Sequence, residues 1–140
     1  MQLEMFINFD GNCRAAAEFY ARVFRSAVHN LMTYGEAPPS PDYPLPEADK
    51  ERIIYAGVPI GGMTVMLMDY PAGSPFIVGN NIVPTYNTDD KEEVTRIFNE
   101  LKEGGTVLFE LQKTFYSDWY GMVTDKFGVS WHIMLYAPGE

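Results

Sequence analysis

Apolar and polar positions alternate along residues 2–9 in the way expected for a β-strand with one buried face. One face carries Leu3, Met5, Ile7 and Phe9, and the other carries Glu4, Phe6 and Asn8. After this stretch, apolar residues recur at helical spacing at Ala16, Phe19, Tyr20, Val23 and Phe24. Asp10 or Asn12 is placed to accept hydrogen bonds from the first free amides of that helix. The chain therefore begins with a strand followed by a helix.

The remainder of the first half is predicted to be three strands and a proline-rich segment. A strand is expected near residues 27–34, and residues 36–50 then contain prolines at positions 38, 39, 41, 44 and 46. Irregular backbone of that length and composition predicts an insertion or a lid over a surface. Ile53–Pro59 and Met63–Asp69 form an antiparallel hairpin joined through two glycines.

The same order of elements returns after residues 70–81, which are predicted to be a hinge between the halves. Ile82–Asn87 is strand-like, and Asp89 with Glu92 suggests a capping box. The apolar stripe of the second helix contains Val94, Ile97, Phe98 and Leu101, and Gly104 and Gly105 end it. Three strands follow, near residues 106–111, 118–124 and 129–136. Each half is thus a strand, a helix and three strands.

The repetition is also visible residue by residue. Asn8-Phe9-Asp10 and Asn87-Thr88-Asp89 are 79 positions apart, whereas residues 62–70 match residues 128–136 at a separation of 66. These separations relate four positions: Glu4, Met66, Val83 and His132. If the helices cover the alternate positions, all four side chains point to the opposite face of the sheets. The positions expected beneath the helices are Leu3, Met5, Val65, Leu67, Ile82, Tyr86, Trp131 and Ile133.

Composition and charge narrow the functional classes. The chain has 140 residues, 46% of them hydrophobic, and is long enough to bury a core as a single domain. Its net charge of −9 argues against nucleic-acid binding, which needs a basic surface. Cys13 is the single cysteine, so no internal disulfide can form; we expect Cys13 to be a small packed residue and the protein to be cytoplasmic. No signal peptide or membrane span is predicted.

Several motifs resemble a known family. The similar stretches are Asn8–Cys13, Glu18–Tyr20, the hairpin strand of residues 62–69, and residues 114–116 together with 121–131. Through them the chain resembles the PhnB-like branch of the glyoxalase/bleomycin-resistance/dioxygenase superfamily, also called vicinal oxygen chelate proteins. Members of this branch are often described as resembling 3-demethylubiquinone methyltransferases. No stretch of this chain resembles a nucleotide or methyl-donor loop, so that activity is not expected.

The resemblance implies an α+β fold in which two paired βαβββ modules form a curved, mostly antiparallel, cup-like sheet with the helices outside. Residues 1–140 would form one domain. Module one would span about 1–70, module two about 82–137, and the Pro-rich insertion about 36–50. The resemblance also implies a homodimer.

Metal-dependent relatives bind a divalent ion through the first and last strand of each module, which here offers Glu4, Met66, Val83 and His132. Glu4 and His132 are competent metal ligands, whereas Val83 has no donor atom and the Met66 thioether is a poor ligand for hard cations. A divalent metal is therefore not favoured. Two alternatives remain. In the first, Glu4 is solvated or hydrogen-bonded and His132 is a neutral core histidine; in the second, the two form an acid/base couple that raises the histidine pKa. In dimeric relatives these positions come from different subunits.

Two functional hypotheses follow. The first is a binding module whose cup holds a small aromatic or cationic molecule. Its expected ligand-binding residues are Phe6, Tyr55, Met66, Met68, Phe115, Trp119 and Met134. The second is a divalent-metal-dependent lyase, isomerase or dioxygenase in which Glu4 and His132 are the metal ligands and catalytic residues. His29 has no matching ligand pattern around it and is expected to lie at the surface.

Overall fold

The computed structural model describes residues 1–42 and 44–136. Contacts between residues divide the chain into two compact units, Met1–Phe76 and Ile77–Glu140. Each unit contains one four-stranded mixed sheet and one helix, which confirms the predicted α+β class and its two βαβββ modules.

Unit 1 follows the predicted order of elements. Its strands are β1 (Phe6–Phe9), β2 (His29–Thr33), β3 (Ile53–Ile60) and β4 (Met63–Asp69), and its helix is α1 (Cys13–Val23). The spatial order is β1-β4-β3-β2, with β1 parallel to β4 and the other pairs antiparallel. The apolar stripe of α1 packs against β3 and β4, and buries Phe9, Tyr20, Val58 and Leu67 almost completely.

Unit 2 repeats this arrangement. Its strands are β5 (Thr85–Thr88), β6 (Thr106–Gln112), β7 (Tyr120–Thr124) and β8 (Ser130–Leu135), and its helix is α2 (Lys91–Leu101). The spatial order is β5-β8-β7-β6, again with one parallel pair, β5 with β8. A turn closed by the bond from Gly128 N to Asp125 O joins β7 to β8, and Gly128 adopts φ +89°, which glycine adopts without strain. Trp131 and Ile133 are buried on the side of the sheet that α2 covers.

The duplication is also visible in the registers of the paired strands. Phe6 pairs with Met66 in unit 1, and Thr85 pairs with His132 in unit 2. Phe6 and Thr85 are 79 positions apart, and Met66 and His132 are 66 apart, which are the separations read from the sequence. The structure therefore places Met66 and His132 at corresponding positions.

The first strand of each module is shorter than predicted. β1 begins at Phe6 and β5 at Thr85, whereas the alternation predicted strands from residues 2 and 82. Leu3 and Ile82 were expected beneath the helices, but they are 90% and 80% exposed. This expectation was wrong because alternating residues form a strand only where a neighbour supplies hydrogen bonds, and the described ladders begin at Phe6 and Thr85.

The helix caps also differ from the expected ones. Asp90, not Asp89, caps α2, and its carboxylate accepts hydrogen bonds from the Glu92 and Glu93 amides. Asn12 occupies the N-cap position of α1 but makes no side-chain capping bond. Asp69, at the end of β4, instead accepts a bond from Cys13 N at 3.0 Å. A carboxylate distant in sequence thus replaces the local cap.

Cys13 is fully buried at the start of α1, as expected for a packed residue. Burial and the neighbouring Asp69 charge raise the pKa of its thiol to about 12, so the thiol is protonated at neutral pH. Cys13 is therefore a poor nucleophile.

In the proline-rich segment, residues 36–42 and 44–50 are largely irregular and exposed, apart from short 3-10 turns at Tyr34–Glu36 and Glu47–Asp49. Its end is fixed to the rest of unit 1, because buried Asp49 accepts a hydrogen bond from Ala72 N at 2.8 Å. A role as a lid stays a prediction.

Across residues 1–42 and 44–136, every helix is too short or too polar to cross a bilayer.

Candidate functional site

Glu4 lies at the surface of unit 1, two residues before β1 begins. Its carboxylate accepts a hydrogen bond from Gln2 Nε2 at 2.6 Å. Within its own unit Glu4 is therefore an exposed, hydrogen-bonded carboxylate. His132 belongs to unit 2, and a functional pairing of the two residues stays a prediction.

Four of the predicted ligand-binding residues share one face of the unit 1 sheet. We call the face opposite α1 the open face of unit 1; it carries Phe6, Tyr55, Met66 and Met68. Residues of β4 alternate between buried positions beneath α1 and half-buried positions on the open face. Phe6 is 47% exposed, and its ring meets that of Tyr55 edge-on, with centroids 6.3 Å apart. The open face is therefore an apolar surface of rings and thioethers.

Asn8 is a polar residue on this apolar surface, paired with Met68. Its Nδ2 donates a hydrogen bond to Tyr70 Oη at 3.1 Å. Its Oδ1 is buried and has no hydrogen-bond partner within the part of the chain that the structure describes. A buried acceptor without a donor costs about 1–3 kcal/mol. The Oδ1 of Asn8 therefore does not stabilise the fold of unit 1.

His132 lies at the corresponding position on the unit 2 sheet. We call the face opposite α2 the open face of unit 2. His132 and Met134 lie on it and alternate with the buried Trp131 and Ile133. The neighbouring strand contributes Tyr120, whose hydroxyl lies 3.2 Å from His132 Nδ1. The two rings also meet edge-on, with centroids 5.4 Å apart.

The surroundings of His132 keep it neutral. Burial lowers the pKa of its imidazole below the ordinary 6.5, because the charged form loses hydration. Burial, with a smaller contribution from Tyr116, raises the pKa of Tyr120. Both side chains are therefore uncharged at pH 7. Within this chain the His132 pKa moves in the direction opposite to the one that an acid/base couple with Glu4 would produce.

Tyr120 is the centre of a group of rings. Its centroid lies 5.5 Å from that of Phe109 and 5.4 Å from that of Tyr116, and both contacts are edge-on. We call Phe109, Tyr116, Tyr120 and His132 the Tyr120 cluster. Tyr120 is 6% exposed, whereas Phe109 and Tyr116 are 40% and 41% exposed. The cluster therefore has a buried centre and accessible walls.

Phe109 was not among the predicted site residues, and the reason lies in the strand register. Val107 pairs with Val123, so regular pairing would place Phe109 opposite Gly121, beneath α2. A register shift between Val107 and Phe109 places Phe109 opposite Met122 instead. Such an irregularity reverses which face a side chain takes, and periodicity alone does not reveal it.

Phe115 and Trp119 take different positions from the other predicted ligand-binding residues. Phe115 is fully exposed, and its ring meets Tyr116 edge-on at 5.0 Å, at the outer margin of the Tyr120 cluster. Trp119 is directed toward α2: its Nε1 donates to Thr95 Oγ1 at 2.8 Å, and Lys91 Nζ lies 4.6 Å from its ring centroid. These contacts with α2 account for Trp119 structurally.

The residues around the candidate metal positions do not fit a divalent cation. His132 is paired with Thr85 and Met122 on the neighbouring strands of its sheet. Met66 is paired with Phe6 and Gly57 on the neighbouring strands of its own sheet. Hard divalent ions prefer carboxylate oxygens and borderline ions such as zinc prefer imidazole or thiolate, and none of these neighbours supplies any of these groups. Over residues 1–42 and 44–136, no three or more His, Cys, Asp or Glu side chains are grouped so that they could hold a metal. No step of a mechanism is therefore assigned to a metal.

Comparison with known proteins identifies the family. Residues 2–134 match the family model described as 3-demethylubiquinone-9 3-methyltransferase. The chain is 31% identical over 140 residues to Protein YjdN of Escherichia coli (strain K12), covering 95% of this chain and 94% of that protein. The chain therefore belongs to this family, and the predicted family resemblance is confirmed.

Solved structures share the fold of this chain. Protein PA1353 from Pseudomonas aeruginosa is 30% identical, with a TM-score of 0.85 over 97% of this chain and 98% of that one. The putative 3-demethylubiquinone-9 3-methyltransferase PhnB protein from Bacillus cereus is 24% identical, with a TM-score of 0.79 over 96% and 99%. A glyoxalase/bleomycin resistance protein/dioxygenase family enzyme from Burkholderia phytofirmans PsJN shares the fold, at a TM-score of 0.61 over 93% and 95% and 18% identity.

Proposed function

We propose that this protein binds a small, largely apolar molecule on the open faces of its sheets. The observation that carries the proposal is the contrast between the two sides of each sheet. The side under the helix is closed and buried, with residues such as Leu67 and Ile133 at 0% exposure. The other side presents half-buried methionines and aromatic rings, with Phe6 still 47% exposed.

The composition of these faces supports ligand binding over simple packing. Small-molecule sites are mostly apolar and contain a few placed polar groups. The unit 1 face combines Phe6, Met66 and Met68 with the carboxamide of Asn8, and the unit 2 face combines the Tyr120 cluster with Met134. Methionine side chains adapt to guests of different shape because they have three rotatable bonds and a polarisable sulfur.

Titration with indole, a flat neutral probe, tests this proposal. We expect the backbone amide signals of β1, β4 and β8 to shift in two-dimensional NMR spectra as indole is added. Met66→Glu places a carboxylate on the open face of unit 1. We expect it to weaken indole binding, as followed by the shifts of β1 and β4, about tenfold. Met63→Glu is the matched control, because Met63 belongs to the same strand, is 38% exposed and alternates with Met66 onto the other side. Shifts absent from both faces would refute the proposal.

The proposal includes a homodimer. Leu3 and Ile82 are 79 positions apart, so they correspond in the two modules, and both large side chains are highly exposed. Exposed apolar residues at corresponding positions favour association with another apolar surface. Sedimentation velocity should give a dimer for the unaltered chain and a monomer for the double variant Leu3→Asp, Ile82→Asp. A monomer for the unaltered chain at micromolar concentration would contradict this part.

A further inference from the structure

We propose that the Tyr120 cluster is a binding site for an organic cation, such as a quaternary ammonium group. This inference rests on the proposed small-molecule function and specifies the ligand class for unit 2. It starts from the geometry of the cluster, in which the rings of Phe109, Tyr116 and His132 each meet the ring of Tyr120 edge-on.

Edge-on contacts between rings set neighbouring ring planes at large angles. The planes of Tyr116 and His132 are inclined by 75° and 77° to that of Tyr120, and that of Phe109 by 61°. Each ring carries negative partial charge on its faces, and rings at steep angles can direct several faces toward one guest. A rounded cation suits such walls better than a flat neutral ring does.

The charge of the cluster supports the same ligand class. Burial lowers the pKa of His132, and burial with Tyr116 raises the pKa of Tyr120, so neither side chain is charged at neutral pH. A neutral imidazole does not repel a cation. Three lysines of unit 2 lie over rings outside the cluster: Lys91 over Trp119, Lys102 over Phe98 and Lys126 over Phe127.

The whole chain favours a cationic guest as well. Its net charge is −9, so the long-range field attracts cations and repels anions. The walls Phe109 and Tyr116 are about 40% exposed and can contact a guest directly, whereas buried Tyr120 packs edge-on against both rings. A site with aromatic walls would take a cation through the ring faces and not through an ion pair.

Choline and 3,3-dimethyl-1-butanol provide the test, because they have the same shape and differ in a charged nitrogen against a neutral carbon. Each is titrated into the full chain at ionic strength held constant with sodium chloride, and binding is followed by the backbone amide shifts of β6, β7 and β8. We expect choline to bind about tenfold more tightly than the alcohol. Phe109→Leu keeps apolar bulk but removes a ring, and should reduce that preference to less than about twofold.

Two further variants make the test specific. Tyr116→Leu removes a second exposed wall and should have the same effect as Phe109→Leu. Phe127→Leu removes a partly exposed ring of the same unit outside the cluster and should leave the preference unchanged. This control separates the cluster from general attraction of cations to an acidic protein.

The outcomes distinguish this inference from the proposed function. Equal binding of choline and the alcohol overturns the cation site and leaves small-molecule binding intact. Binding of indole without binding of choline also overturns the cation site and leaves small-molecule binding intact. Failure of indole, choline and the alcohol to shift any amide overturns both proposals. A choline preference that survives both Phe109→Leu and Tyr116→Leu also overturns the cation site.

Discussion

The hydroxyl of Tyr120 lies 3.2 Å from Nδ1 of His132, and this hydrogen bond joins neighbouring strands across the open face of unit 2. It holds the imidazole in place without supplying a charge. Since burial lowers the His132 pKa, the histidine is a neutral member of an aromatic cluster. This relationship makes the stability of the protein depend on pH in a defined direction.

Acidification should destabilise the protein through His132. The unfolded histidine has a pKa near 6.5, whereas burial lowers its pKa in the folded chain. Between the two values the unfolded chain binds more protons, so stability falls as pH decreases, and the loss is complete below the folded pKa. We expect the unfolding free energy of the unaltered chain to decrease more steeply than that of His132→Asn, beginning near pH 6.5. Chemical denaturation from pH 8 to pH 4.5 measures both slopes.

His29→Asn is the control for this experiment, because His29 lies exposed on β2. We expect its pH dependence to follow that of the unaltered chain. Superimposable slopes for the unaltered chain and His132→Asn would contradict the assignment of the pH dependence to His132.

The duplication could be predicted from the sequence because it depends on register. Matching side chains 79 and 66 positions apart correctly related Met66 to His132, since equal spacing along paired strands is preserved when a module is copied. The partner of His132 could not be predicted in the same way. Tyr120 reaches it diagonally across β7 and β8, and that contact requires the register of the turn after Thr124.

Two other errors have a common physical cause. Local sequence suggested that Asp10 or Asn12 would cap α1, but the carboxylate that accepts the hydrogen bond from Cys13 N belongs to Asp69, which is far along the chain. Phe109 belongs to the Tyr120 cluster because of a register shift in β6. In both cases long-range pairing overrides a local pattern, and long-range pairing is the information that a single sequence expresses least directly.

The different caps of the two helices should give different mutational costs. Asp90→Ala removes a carboxylate that accepts bonds from Glu92 N at 2.9 Å and Glu93 N at 3.3 Å, and should destabilise the protein by about 1 kcal/mol. Asn12→Ala removes no capping bond and should change stability by less than about 0.5 kcal/mol. Urea denaturation compares the two variants. Equal costs would show that the caps are energetically alike.

Asp69 should be intolerant of the isosteric change to asparagine. Its Oδ1 accepts bonds from Gly11 N and Cys13 N at 2.8 and 3.0 Å, and its Oδ2 accepts from Ile53 N at 2.9 Å. In Asp69→Asn one of these positions becomes an NH2 group that faces a backbone donor while 1% exposed. We expect a loss of about 2–3 kcal/mol in unfolding free energy.

Asp10→Asn controls for the loss of a negative charge in the same region. Asp10 pairs with Arg52 at 2.9 Å, but its side chain is half exposed, so this change should cost less than about 1 kcal/mol. If Asp69→Asn were as mild as Asp10→Asn, the three backbone bonds would not be a main support of unit 1.

Gly121 of β7 should resist replacement because α2 packs directly on it. A Cβ at this position would lie 2.7 Å from Phe98 Cε2 and 3.0 Å from Leu111 Cδ2, so the buried ring of Phe98 would have to move. Gly121→Ala is therefore expected to destabilise the protein by about 1–3 kcal/mol. Gly62→Ala is the matched control, because its Cβ would meet nothing within 4 Å and its φ is not positive. Thermal and urea unfolding of both variants measure the difference, and a Gly121→Ala protein as stable as Gly62→Ala would show that α2 can withdraw from the sheet at little cost.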